Sequence, residues 1–229
     1  MRKTTEGKCS FCGETFSEKT IKGHLNNCKV KNEEYTMADT DKSEKYFCLL
    51  AQGYESPEYW IYIDIPASST FQELDDFLRD IWLECCGHLS LFEINGETFS
   101  SSPDREFRDK NMNIKLKNIF ETGMQFKYEY DFGSTTTLKL KVVSEFRGSE
   151  RNKKGKKVRL LARNNQPDIK CSHCGKPATN VCCQCIYDDN GWVCDNCADK
   201  HKCGEDMLLP VVNSPRVGIC AYNGGSYDE

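Results

Sequence analysis

The chain reads as an α+β protein: a mixed, mainly antiparallel sheet with one main helix, flanked by two small zinc-binding modules. Three features of the sequence lead there. Apolar residues alternate with period two in several stretches of the middle block, which is the pattern of half-buried strands. One stretch in that block, 71–85, carries a stripe of period 3.6 instead. Close pairs of cysteine and histidine gather at the two ends and leave only Cys48, Cys85 and Cys86 in the middle. With 229 residues, that clustering favours several small units over one large domain. The boundaries it suggests are 1–31, a linker at 32–44, a core at 45–165, and a second metal unit with its tail at 166–229.

Composition narrows the function classes. Hydrophobic residues make up 38% and charged residues 29%, the balance of a polar globular chain. The formal charge of −4 gives no global attraction to nucleic acid, so any such contact must come from local patches. No run approaches the length of a membrane span, and MRKTTEGKCSFCG lacks a signal-peptide core. The expected location is the cytoplasm, where thiols stay reduced and dense cysteine pairs read as metal ligands rather than disulfides. An iron–sulfur cluster fits less well, because the histidines in the pattern suit zinc.

The first unit holds Cys9-x2-Cys12 and His24-x3-Cys28. Two thiolates at x2 spacing can reach one tetrahedral Zn²⁺, and a helical His-x3-Cys supplies the other pair. Phe16 and Ile21 sit where a small module of this kind keeps its core. About 25 residues cannot bury enough surface to fold alone, so metal binding would supply most of the folding free energy. The unit resembles the ββα zinc finger with a final Cys in place of His. Such fingers often lay their helix in the DNA major groove, which makes Lys19 and Lys22 candidate nucleic-acid contacts. The polar, acidic string NEEYTMADTDKSE then reads as the linker.

In the core, KYFCLLAQG and EYWIYIDIP flank a Tyr-Glu-Ser-Pro turn and form a hairpin. Trp60, Tyr62 and Asp64 alternate with Tyr59, Ile61, Ile63 and Ile65, giving one mixed and one apolar face. Ser69 or Thr70 caps the helix TFQELDDFLRDIWLECC, and Glu73 sits three residues after Thr70, as a capping box wants. HLSLFEING is a strand ending at an Asn95-Gly96 turn, SSSPDREFRDKN a surface loop, and MNIKLKNIFETG holds a short helix. MQFKYEYDF and TTTLKLKVVSEF are two more strands. Next comes a basic loop with Arg151, Lys153, Lys154, Lys156, Lys157 and Arg159 within nine residues, a candidate phosphate-binding patch, leading into one strand.

The last unit packs four ligand pairs into 33 residues: Cys171/Cys174, Cys182/Cys185, Cys194/Cys197 and His201/Cys203. Eight ligands suffice for two closed structural sites, so three zincs per chain are expected in all. Cys182 rather than Cys183 gives the x2 spacing, and His173 points outward. The pairs could combine sequentially or interleave. The spacing and the His-x-Cys end resemble the cross-braced fingers of the HIT and MYND type, which implies interleaving, although the Cys185–Cys194 gap is longer than theirs. Such fingers mostly serve protein contacts. Tyr187 and Trp192 are candidate anchors, with Trp192 equally suited to filling the small core beneath the metals.

FQELDDFLRDIWLECCGHLSLFEING, FKYEYDFGS and the tail NSPRVGICAYNG together resemble the family named for an open reading frame of plasmid pRiA4b. The resemblance implies a shared fold over about 45–165 plus the tail, and association with mobile elements. It implies no active site: the family motif continues Gly-Asp-x-Trp-x-His, whereas Gly133 here precedes Ser134, Thr135, Thr136, Thr137 and Leu138. The family's resolvase-like label is not matched either, since residues 1–31 stand where a serine resolvase would have its catalytic domain. His88, Glu93, Glu129 and Asp131 are the residues of the core best placed for acid–base work. His88 also fits a packed strand-opening role, and Asp131 a turn role. With no G-x-S-x-G, P-loop or dinucleotide fingerprint, no catalytic residues are assigned. The expected function is a non-enzymatic zinc-binding adaptor that contacts nucleic acid, protein or both. The alternatives are a protein-only scaffold and a metal-dependent hydrolase or nuclease using core carboxylates.

Overall fold

Two sheets organise the computed structural model of the chain, which describes residues 5–36, 43–149 and 157–227. The larger contains β1 (Glu6–Cys9), β2 (Thr15–Ser17), β3 (Ser43–Gly53), β4 (Trp60–Pro66), β5 (Ser90–Ile94), β6 (Glu97–Ser100), β7 (Lys110–Asn111), β8 (Gln125–Tyr130), β9 (Thr136–Ser149) and β10 (Arg159–Asn164). Their spatial order is β2-β1-β10-β4-β3-β9-β8-β5-β6-β7. The pairings are antiparallel apart from β6 with β7. A mixed sheet with few helices is therefore present, as the periodicities suggest.

The alternation along β4 explains the layering. Ile61, Ile63 and Ile65 join Phe47 and Leu49 in the main core, together with α3 (Phe71–Leu78). Trp60 and Tyr62 belong to a second apolar cluster with Ile21, Leu25, Cys9 and Cys28. Successive side chains of a strand face opposite ways, so the mixed face of this strand is covered by the N-terminal unit.

That unit is joined to the sheet rather than standing apart. β1 pairs with β10 through Gly7↔Asn164, Lys8↔Arg163 and Cys9↔Ala162. Helix α1 (Glu18–Asn27) follows β2, and α2 (Lys29–Thr36) takes up the first part of the segment read as a linker, with β3 starting at Ser43. One aromatic anchors α2 despite its lack of an apolar period: Tyr35 donates a 2.7 Å hydrogen bond to Asp64 and packs edge-on against Phe146.

Both bonds of the Thr70–Glu73 capping box start α3. The regular helix ends at Leu78, earlier than its apolar stripe suggests, and a wide π turn spans Arg79–Leu83, closed by Glu84 N–H donating to Arg79 C=O. Three consecutive residues of this turn, Ile81, Trp82 and Leu83, are fully buried. The tail straps this corner: Trp82 Nε1 donates to Asn213 C=O, and Ser214 Oγ to Trp82 C=O.

The smaller sheet, in order β12-β11-β13, is built from β11 (Asn180–Cys182), β12 (Trp192–Val193) and β13 (Leu208–Pro210), with the single-turn α4 (Asp195–Ala198) beside it. Among the described residues, no helix is long and apolar enough to cross a membrane.

Candidate metal centres

In the N-terminal unit, the turn between β1 and β2 presents Cys9 and Cys12. Gly13, at φ 74°, allows the chain to fold back so that its N–H meets the Cys9 carbonyl. Helix α1 buries Ile21 and Leu25 against the sheet, and that orientation swings His24 and Cys28 over the thiols. Cys9 Sγ lies 3.9 Å from Cys28 Sγ, Cys12 Sγ lies 3.3 Å from His24 Nε2, and the four ligand atoms fall within 4.8 Å of one another. A tetrahedral Zn²⁺ with ordinary bond lengths sets S···S edges of ~3.8 Å and S···N edges of ~3.6 Å. Phe16 stacks on the His24 ring at 3.9 Å and fixes its plane.

The C-terminal ligands come together in the interleaved arrangement. Cys171, Cys174, Cys194 and Cys197 form one group, and Cys182, Cys185, His201 and Cys203 the other. Cys174 lies 3.5 Å from Cys194, and Cys185 lies 3.4 Å from Cys203. Gly175 (φ 71°) and Gly204 (φ 83°) turn the chain just after a ligand, as Gly13 does. His201 Nε2 is buried with no hydrogen-bond partner among the described residues, an unpartnered ring nitrogen of the kind whose lone pair a metal takes up.

The thiols in these groups compete for ionisation. Burial opposes ionisation of Cys171, but the N–H groups of Cys194, His173 and Cys174 bring it down to about 6. Cys197 is raised to about 12, by hydrogen bonding to Cys174 first and then Cys194. Cys185 is also raised to about 12, by Cys203 and Cys182. Each group thus pairs one thiol drawn toward the thiolate, Cys171 or Cys182, with one pushed the other way, Cys197 or Cys185. A dication at the centre removes that conflict, because it binds thiolates and offsets their mutual repulsion.

Cys183 lies outside both groups, with its thiol 3.8 Å from Met207 Sδ, and His173 is exposed. Trp192 is half-buried against the main core, the packing role, whereas Tyr187 remains 71% exposed.

The basic candidates divide. Lys19 and Lys22 are exposed on α1. Lys157 is paired with Glu73 at 2.5 Å. Arg159 is paired with Glu34, and its guanidinium lies over the rings of Phe11 and Tyr35 at 4.7 and 5.1 Å. These two cations already have carboxylate partners, Glu73 in the first turn of α3 and Glu34 on α2. Arg151, Lys153, Lys154 and Lys156 lie outside the described residues.

A fourth group, Cys85, Cys86, His88 and Cys220, also lies within 4.8 Å, so four Cys/His groups could hold a metal where the sequence suggested three. Asp131 borders it as a turn residue, accepting N–H bonds from Gly133 and Ser134 and an ion pair from the buried Arg216 at 2.7 Å. Burial opposes ionisation of Asp131, yet Arg216 and those N–H groups hold its carboxyl below the usual range. Glu93 and Glu129 sit on the neighbouring strands β5 and β8, Glu93 exposed and Glu129 half-buried.

Fold and site together define a mixed-sheet protein in which Cys/His clusters able to take metal ions gather around a common core. The chain belongs to the Plasmid pRiA4b ORF-3-like protein family, whose model matches residues 51–173. The match covers most of the core and stops within the first C-terminal ligand pair; the N-terminal unit and the tail lie outside it. A solved crystal structure of a protein of unknown function from Methanosarcina mazei Go1 is similar at 19% identity, with a TM-score of 0.43 over 52% of this chain and 67% of that one. No curated protein matches the chain.

Proposed function

We propose that this protein is a non-enzymatic, zinc-binding adaptor whose terminal modules contact partners while the family core positions them. The observation that carries the reading is the completeness of the three groups foreseen from the ligand spacing. Each brings four protein ligands within tetrahedral reach, leaving no position for the water that a catalytic zinc keeps. Zinc fits these thiol and imidazole sets best among the common divalent metals. The family's naming after a plasmid reading frame supports an association with mobile elements.

Nucleic acid is one proposed partner, reached through Lys19 and Lys22 on the exposed side of α1. A protein-only reading draws support from the pairing of Lys157 and Arg159 with carboxylates and from exposed Tyr187, an aromatic anchor next to a metal group. Binding of the zinc-loaded full chain to DNA and RNA across a salt series separates the two. The adaptor reading with nucleic acid expects retention at low salt that falls steeply as salt rises and weakens in Lys19→Ala/Lys22→Ala. No retention even at low salt overturns it in favour of the scaffold.

A further inference from the structure

We infer that Cys85, Cys86, His88 and Cys220 form a further metal site, a thiolate-rich Zn²⁺ centre that fastens the C-terminal tail to the core. Nothing in the ligand spacing announces it, because Cys220 lies 134 residues from Cys86. Folding brings them together. The π turn after α3 ends at Leu83, the loop reverses at Gly87 (φ 75°), and the tail strap delivers Cys220 from the other side.

The distances are those of a coordination polyhedron. Cys86 Sγ lies 3.7 Å from Cys220 Sγ, and Cys220 Sγ lies 3.6 Å from His88 Nε2. Tetrahedral zinc calls for edges of ~3.8 Å between sulfurs and ~3.6 Å between sulfur and nitrogen. A sulfur–sulfur separation of 3.7 Å is far beyond a disulfide bond.

The surroundings are arranged as for a bound cation. His88 turns Nε2 toward the thiols and Nδ1 toward Asp131, whose Oδ1 is 3.5 Å away. A carboxylate behind the far ring nitrogen holds a histidine ligand in the tautomer whose other nitrogen can bind metal. Asp131 is itself locked by Arg216, and the same guanidinium reaches Cys85 Sγ at 3.4 Å. One zinc with three thiolates and a neutral imidazole carries a net negative charge, and Arg216, fully buried beside it, offsets that charge. Two of the residues involved hold left-handed backbone outside glycine, Asp131 at φ 65° and Cys220 at φ 56°. Such strain persists where the surrounding structure demands one placement of the side chain.

The ligand chemistry is that of a soft divalent cation, and the consequence is mechanical. With metal bound, the loop after α3 and the tail become one corner cross-linked through the ion, and without it the tail is held by hydrogen bonds, packing and the Arg216–Asp131 ion pair. Cys86 and Cys220 are exposed thiols, so their replacement leaves the main core intact.

Elemental analysis and native mass spectrometry of the full chain, purified under reducing conditions with zinc, test the site. Cys220→Ser is expected to carry one zinc fewer per chain than the parent, and Cys86→Ser the same. The difference stands whatever the occupancy of the other three groups, so it is independent of the adaptor reading. Equal zinc in the parent and both variants overturns the inference. So does a Cys86–Cys220 disulfide in the peptide map of the parent in place of bound metal. Should one variant fail to fold, the other decides.

Discussion

Among single residues, Asp64 has the clearest pH signature. It is fully buried on β4 with Tyr35 donating to it, and burial raises its carboxyl from 3.8 to about 6, against the opposing pull of Lys31. Between these values the folded chain holds a proton that the unfolded chain has lost. The stability this proton confers is complete below the unfolded value and is lost as pH rises through the folded one. Asp64→Asn keeps an acceptor for Tyr35 and removes the buried charge. Unfolding in urea is expected to show the variant more stable than the parent at pH 7, by about 1–3 kcal/mol, with the gap narrowing toward pH 5. A gap independent of pH contradicts this. Arg216 is the opposite case, a buried cation whose worth depends on its partner. Arg216→Met leaves Asp131 without its ion pair and is expected to cost about 3–5 kcal/mol by the same measurement, with part recovered in Arg216→Met/Asp131→Asn. An unchanged midpoint would show that the pair contributes nothing.

At the scale of elements, local chemistry was legible wherever its partners lie close in sequence. Of the two candidate caps, Ser69 and Thr70, it is Thr70 whose capping box starts α3. Asn95 and Gly96, both at positive φ, turn β5 into β6, but the strand after that turn, Glu97–Ser100, is too short to show a period. The π turn at Arg79–Leu83 left no mark in a pattern that still looks helical. The C-terminal ligands were legible because cysteine pairs at x2 spacing advertise themselves. The Cys85/Cys86/His88/Cys220 group was not, because its fourth member arrives only when the tail folds back. The docking of β1 on β10 was equally invisible, since it depends on a backbone approach that only Gly7 permits. A Cβ there would lie 2.4 Å from both the Trp60 ring and the Arg163 carbonyl. Gly7→Ala is expected to push the first hairpin off the sheet at a cost of about 1–3 kcal/mol, seen as a lower melting temperature and faster proteolysis within residues 5–28. Proteolysis at the parental rate would contradict the close packing.

For the whole molecule, the division of labour follows from size. The core strands share one large apolar cluster, whereas the units at 5–28 and 171–203 add only a few buried apolar residues each, Ile21 and Leu25 in the first and Val181 and Val193 in the second, to their ligands. Metal affinity in such units is folding free energy. The N-terminal unit nonetheless shares a ladder and an apolar cluster with the core, so losing its metal should loosen β1, α1 and the Trp60 face together.

Hydrogen exchange on the zinc-loaded chain, with and without a strong chelator, measures this most directly. The account predicts that chelation strips protection from residues 5–28 and 171–203 while β3, β4, β8 and β9 keep theirs. Protection unchanged in both terminal units would contradict it.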